Sequence, residues 1–248
     1  MSAVYLITGG SRGIGAAVAK LAGAQGAKVC VNYVANRDAA AEVVEAVKAA
    51  GGEAIAVKGD MAIEADVVAL FDACEARLGP ATVLVNNAGV LDLEGRLEDF
   101  GVARIARIID VNVTGAIICA REAVRRMSTK NGGQGGSIVN VSSMAASLGG
   151  PSTYVDYAAS KGAIDTLTVG LSREVALEGI RVNGVRPGII DTDIHAAGGN
   201  PDRAEKLAHT VPMGRAGTAQ EVAEAIVWLA SDKASYVTGS TINVSGGR

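Results

Sequence analysis

The stretch YVDYAASK, residues 154–161, sets two tyrosines three positions apart and a lysine four positions after the second. A tyrosine hydroxyl has an ordinary pKa near 10, so it serves as a base at neutral pH only where a cation favours phenolate. In a helix, residues four apart share a face and side chains lean toward the N-terminus. Lys161 then reaches back over the turn that carries Tyr157, whereas Tyr154 stands two turns away, roughly 10 Å along the axis. The spacing nominates Tyr157 as the proton-transfer group, Lys161 as its tuning cation and Tyr154 as rim or packing. Alone, the pattern is weak, because many surface helices contain it.

A second chemical signature lies near the start. TGGSRGIG (8–15) follows a short apolar run and opens a helical pattern, with Gly9, Gly13 and Gly15 at G-x3-G-x-G spacing. Glycines there let the backbone turn tightly and approach a pyrophosphate, whose charge then sits at a helix N-terminus. The next strand-like run ends in Asn32-Tyr33-Val34-Ala35-Asn36-Arg37, and the first acid, Asp38, falls beyond it. An NAD-selective site places a carboxylate at that end to hold the ribose 2′-hydroxyl. Arg12 and Arg37 are instead placed to attract a 2′-phosphate. The residues favour NADP(H), with NAD(H) as the other possibility.

The elements that must position these groups alternate along the chain. VYLIT (4–8), KVCVNY (28–33), EAIAVK (53–58), TVLVNN (82–87), SIVNVS (137–142), IRVNGV (180–185) and STINVS (240–245) read as strands. Most are continuous Val/Ile/Leu runs, as a sheet covered on both faces requires. Helical patterns fall between them at 13–25, 37–50, 63–78, about 100–128, about 154–177 and 218–231, the last opening on a Thr218/Glu221 capping box. The alternation predicts an α/β fold: a doubly wound, seven-stranded parallel sheet with helices on both faces. One dinucleotide-binding domain is expected over 1–248. Its segment 188–216 is too long for a routine connection and reads as a substrate loop.

Composition narrows the function classes. Apolar residues make up 49% and aromatics 3%, with a net charge of −3, which gives a large core but no attraction to phosphate backbones, so no nucleic-acid partner is expected. The apolar start is too short for a signal segment, and no apolar run approaches the roughly 20 residues of a membrane span. Cys30, Cys74 and Cys119 are odd in number and set in apolar surroundings, so they read as reduced core residues in a cytoplasm. His195 and His209 lack ligand spacing, and no metal is expected.

Taken together, TGxxxGIG, NNAG (86–89), VNVTG (111–115), VSS (141–143), the tyrosine–lysine pair and RPG (186–188) make the chain resemble the short-chain dehydrogenase/reductase family over essentially its full length. The resemblance implies a catalytic tetrad. Tyr157 would be the general acid in reduction and the base in oxidation, and Ser143 would hold the substrate oxygen. Lys161 would lower the tyrosine pKa and bind the nicotinamide ribose, while Asn112 would hold a proton-relay water. Ser142 competes with Ser143, but neighbouring strand residues face opposite ways, and the family pattern selects the second. For the cofactor the resemblance implies Gly9, Ser11, Arg12, Gly13, Ile14 and Gly15 in the first loop and Asp60 with Met61 after the third strand. It adds Asn86, Asn87, Ala88 and Gly89 on the ribose and pyrophosphate side, and Pro187, Gly188, Ile190 and Thr192 at the nicotinamide end.

The implied reaction interconverts a ketone and a secondary alcohol of small-molecule size. Acyl-carrier-protein reductases and sugar dehydrogenases of the family are the nearest alternatives. A carrier protein would dock on basic residues, for which Arg125, Arg126 and Lys130 are candidates, whereas Glu178 opposes an acidic partner. A non-catalytic dinucleotide-binding regulator would have no need of the tetrad. The family's habit implies a homodimer or homotetramer built on the long helices 100–128 and 154–177 and the C-terminal helix and strand.

Overall fold

The computed structural model describes residues 2–192, 194 and 198–248. Seven parallel strands form the sheet: β1 (Val4–Ile7), β2 (Lys28–Tyr33), β3 (Glu53–Lys58), β4 (Val83–Asn86), β5 (Gly136–Val141), β6 (Ile180–Pro187) and, last in the chain, β9 (Thr241–Val244). Their order across the sheet is β3-β2-β1-β4-β5-β6-β9. The order reverses between β1 and β4, and a crevice opens there beyond the strands' carboxyl ends. The expected doubly wound α/β fold is present.

Strand residues alternate between two cores. Tyr5, Ile7, Val29, Val31, Val83, Val85 and Val139 pack on one face, against α1 (Gly13–Ala24), α2 (Arg37–Ala49) and the helix Ala219–Ala230. Leu6, Cys30, Leu84, Ile138 and Val182 pack on the other, where Leu70, Phe71 and Cys74 of α3 (Glu64–Leu78) meet them. The three cysteines are free and buried. Both faces are covered, which is why these strands read as continuous apolar runs. The capping box forms, Thr218 Oγ1 accepting from the Glu221 N–H at 3.2 Å while Glu221 accepts from the Thr218 N–H at 2.8 Å.

One segment differs from the sequence expectation, and a second carries structure that the sequence did not specify. The helix expected over 100–128 is divided into α4 (Val102–Ile109) and α5 (Ala116–Met127) by a wide π-type turn, Asp110–Gly115. Gly115 explains the close passage here: a Cβ on it would lie 2.6 Å from the Met61 carbonyl oxygen. The 188–216 segment is not a plain loop. It carries β7 (Ile190–Asp191) paired with β8 (Gly217–Thr218), a short helix Arg203–Leu207, and an apolar cluster of Ile189, Ala204 and Val211. His195 lies outside the described residues, and His209 is exposed. Among the described residues, no helix is long and apolar enough to cross a membrane, and no cluster of His, Cys, Asp or Glu could hold a metal.

Candidate active site

The loop from β1 into α1 is built on left-handed glycines, with φ of +60° at Gly9 and +53° at Gly13. A Cβ on Gly15 would stand 2.6 Å from the Gly9 carbonyl oxygen and 2.7 Å from Asn87 Nδ2. No other residue fits there without moving the loop. Helix α1 has no side-chain cap at Arg12 and no acid in its first turn, which leaves its leading N–H groups available to an anion. These features fit a dinucleotide pyrophosphate.

The floor under the loop is stitched by side chains. Thr8 Oγ1 accepts from the Asn87 and Ala88 N–H groups at 3.0 and 2.9 Å, and Asn87 Nδ2 donates to the Thr8 and Gly9 carbonyls at 2.9 and 3.0 Å. Asn32, buried at the end of β2, accepts from the Gly9 N–H at 3.0 Å and donates to the Gly59 carbonyl at 2.9 Å. Sequence reasoning missed Thr8 and Asn32 as supports. A lone asparagine inside the apolar run KVCVNY was the available signal.

A cleft of about 640 Å³ opens at the sheet's carboxyl edge. Ile14, Asn87, Gly89, Pro187, Gly188, Ile190 and Thr192 line it, together with Ser143, Tyr157 and Lys161. Ser11, Arg12 and Gly13 line an adjoining groove with Lys20 and Thr192. Three of the expected cofactor residues direct their side chains away from the cleft. Asn86 points into the fold, donating to the Ala116 carbonyl at 2.8 Å and Asn140 Oδ1 at 3.3 Å, because a strand residue adjacent to Asn87 faces the other way. Met61 is a core side chain, its sulfur 3.6 Å from Cys119 Sγ. Arg37 starts α2 on the exposed surface and lines neither the cleft nor the groove. Asp60 sits at the end of β3 with Oδ1 accepting from the Ala62 N–H at 3.0 Å, a local turn that fixes its carboxylate.

Three of the four expected tetrad residues, Ser143, Tyr157 and Lys161, line the cleft, and Asn112 is buried close to Lys161. After the short α6 (Ala145–Leu148), α7 (Val155–Val175) carries Tyr157 and Lys161 one turn apart, and Lys161 Nζ lies 5.6 Å from the Tyr157 ring centroid. Lys161 is buried and donates to the Val141 carbonyl at 2.8 Å, while Ser142 Oγ donates to the Lys161 carbonyl at 3.1 Å. Ser142 is therefore a structural tie, and Ser143 is the serine beside the phenol. Its Oγ accepts from the Ala145 N–H at 3.1 Å and hydrogen-bonds Tyr157. Asn112 lies in the wide turn, buried, its Oδ1 accepting from the Val90 N–H at 2.8 Å and Nδ2 donating to the Val90 carbonyl and Ser160 Oγ. Both Nδ2 hydrogens are committed, and one acceptor position remains on Oδ1. A Cβ on Gly89 would come within 3.3 Å of Lys161 Nζ and 3.5 Å of Asn112 Oδ1.

The electrostatics depart from the simple expectation for the tyrosine. Burial pushes the Tyr157 phenol up to about 12, and the Ser143 hydrogen bond pulls against it. Burial pushes the Lys161 ammonium down to about 8, with the Asp165 carboxylate opposing. Within the protein alone, desolvation outweighs the Ser143 hydrogen bond, and Tyr157 is a neutral donor at pH 7. Tyr154, 6.5 Å away ring to ring, donates to Glu94 Oε1 at 3.1 Å. It belongs to the cleft wall, as geometry along the helix indicated.

The family model described as Enoyl-(Acyl carrier protein) reductase matches residues 9–248. The chain belongs to the short-chain dehydrogenase/reductase family. It is 56% identical to Uncharacterized oxidoreductase YgfF of Escherichia coli (strain K12), over 99% of this chain and 100% of that protein. The crystal structure of 3-ketoacyl-(acyl-carrier-protein) reductase from Brucella melitensis complexed with NADH superposes with a TM-score of 0.90 at 34% identity, covering 99% of this chain and 98% of that one. A blue fluorescent protein from a metagenomic library, in complex with NADPH, gives 0.89 at 34% identity over 99% and 97% of the two chains. The chain is an oxidoreductase of this family, whose members bind NAD(H) or NADP(H).

Proposed function

We propose that this oxidoreductase reduces a compact small-molecule ketone to a secondary alcohol, and catalyses the reverse reaction, with NADP(H) as the favoured cofactor. The observation that carries this reading is the convergence of Tyr157, Ser143 and Lys161 on the floor of a cleft that begins at the glycine loop. Bound there, a dihydronicotinamide supplies the hydride. Ser143 holds the carbonyl oxygen and Tyr157, neutral at pH 7, protonates it. Lys161 stabilises the phenolate left behind and holds the ribose hydroxyls. Asn112 keeps a relay water near Lys161. Acid–base help of this kind contributes about 10²–10⁴-fold.

Arg12 beside the groove, and the absence of an acid between Tyr33 and Arg37, support NADP(H). The decisive comparison is kcat/KM with the two cofactors. A higher value with NAD than with NADP overturns the preference.

Carrier-protein docking is disfavoured by ion pairs on α5. Arg126 pairs with Asp72 and Glu75 and Arg125 with Glu122, so the basic patch is largely neutralised, while Glu178 accepts from Ser128 Oγ. The cleft wall of Leu91, Met144, Leu148, Pro151 and Leu207 favours an apolar substrate body. Val102, Ile109, Ile117 and Val169 leave apolar surface on α4, α5 and α7, consistent with a homodimer or homotetramer. One panel tests the reaction: NADPH absorbance followed with cyclic diketones, acetoacetyl thioesters and sugars. Turnover of the diketones supports the reading. Faster turnover of acetoacetyl thioesters favours the carrier-protein alternative, and no NADPH consumption anywhere favours a dinucleotide-binding regulator.

A further inference from the structure

Arg104, on α4, is the hub of a polar brace next to the cleft-lining residues Glu94 and Tyr157. Its Nε and Nη2 fork onto the two Asp156 oxygens at 2.8 and 3.2 Å, and Nη1 donates to the Leu93 carbonyl at 2.6 Å. The guanidinium carbon lies 3.4 Å from the Phe100 ring centroid. The Arg104 and Asp156 side chains are only 14% and 3% exposed. Asp156 Oδ1 also accepts from the Tyr157 backbone N–H at 2.9 Å.

The brace joins α4 to two other segments. One end is the first turn of α7, which carries Tyr157. Another is the segment holding Leu93 and Glu94. Glu94 in turn accepts from the Tyr154 hydroxyl and pairs with Arg203 of the short helix Arg203–Leu207, and both Glu94 and Arg203 line the cleft. A two-pronged guanidinium–carboxylate fork fixes angle as well as distance, which a lysine cannot do. A buried ion pair contributes little stability over an apolar pair of similar size. Its rigid geometry therefore calls for another account than folding.

We propose that Arg104 is a positioning residue for the hydride-transfer site: its fork on Asp156 and its bond to Leu93 set the Tyr157 phenol against the Glu94 wall of the substrate cleft. This rests on the ketone-reductase reading above. Arg104 touches neither reacting group and acts through Asp156 and the 91–96 segment.

The test uses the full-length protein and the ketone of the panel that the wild type reduces fastest. Arg104→Met/Asp156→Asn removes both charges yet keeps an amide oxygen for the Tyr157 N–H. Arg104→Lys keeps the charge and removes the fork. Both variants are expected to lose about 10- to 100-fold in kcat, the scale of a small misplacement at a reacting centre. The double variant is expected to melt within about 5 °C of the wild type, and both to bind NADPH within about twofold of its Kd. Unchanged kcat in the double variant overturns the proposal, as does full kcat in Arg104→Lys. A loss of kcat that only tracks the unfolded fraction overturns it as well. If the double variant does not fold, Arg104→Lys decides by the same kcat and Kd criteria. A wild type that reduces no ketone overturns the function reading and this one with it, whereas an active wild type with unaffected variants overturns the positioning role alone.

Discussion

Lys161 gives the most exacting prediction, because its charge is required and its ionisation is displaced into the working pH range. Burial pushes it down from 10.5 to about 8, and Asp165, one turn later on α7, raises it. Asp165 Oδ2 accepts from Arg186 Nε at 2.9 Å, and its Oδ1 is buried without a partner. The ammonium persists below about pH 8 and is lost as pH rises through that value. For the free enzyme, kcat/KM for NADPH at saturating ketone is therefore flat at low pH and falls about tenfold per unit above the break. Asp165→Asn removes the charge that holds the lysine up, so the break moves to lower pH. Two unit charges about one helical turn apart interact by about 1 kcal/mol in a water-like medium, and Arg186 already opposes this one. That corresponds to about 0.7 pH unit. The variant should then match the wild type at pH 6 and fall about threefold below it at pH 8, approaching about fivefold at pH 9. Initial rates of NADPH consumption from pH 6 to 9.5 measure both profiles. A break that Asp165→Asn leaves in place, or moves upward, refutes the argument that this lysine's charge controls the rate.

Tyr157→Phe should lose about 10²–10⁴-fold in kcat, while Tyr154→Phe retains most of it; comparable losses in the two variants would contradict the assignment. Gly15→Ala should drive a methyl into the Gly9 carbonyl and Asn87, weakening NADPH binding at least tenfold while costing about 1–3 kcal/mol of stability; fluorescence titration and thermal melts read the two effects. Phe71→Ala, which empties the centre of the core beneath α3, should cost about 3–5 kcal/mol, measured by denaturant unfolding. The phenols of Tyr5, Tyr154 and Tyr157 are each raised to about 12 in the fold, so the fold retains protons that the unfolded chain releases above pH 10. Their contribution to stability is present below pH 10 and is lost as pH rises toward 12; Tm should fall over that window.

Strand runs such as KVCVNY were legible because both faces of a parallel strand are buried, and the tyrosine–lysine pair because helical spacing fixes which side chains meet. Other features depend on contacts distant in sequence. The turn at 110–115 answers to the backbone of Met61, which approaches Gly115 from another element. Asn86 and Asn87 differ only in which side of β4 they face, and an apolar strand with a polar end does not reveal its phase. The Tyr157 phenol is governed by burial, which spacing from Lys161 does not report. Arg104 looks like any helix-surface arginine until α4 meets α7 and the segment 91–96 beneath it.

The stitching of Thr8, Asn32 and Asn87 has a thermodynamic consequence. These side chains tie the turns after β1 and β4 and the end of β3 into one unit. The residues beneath the glycine loop therefore lose their conformational freedom when the protein folds, before any ligand arrives. Binding at that end has little left to order, so more of the contact energy survives as affinity. On the proposed function, a cofactor held this way at one end would stay anchored while substrates exchange at the other.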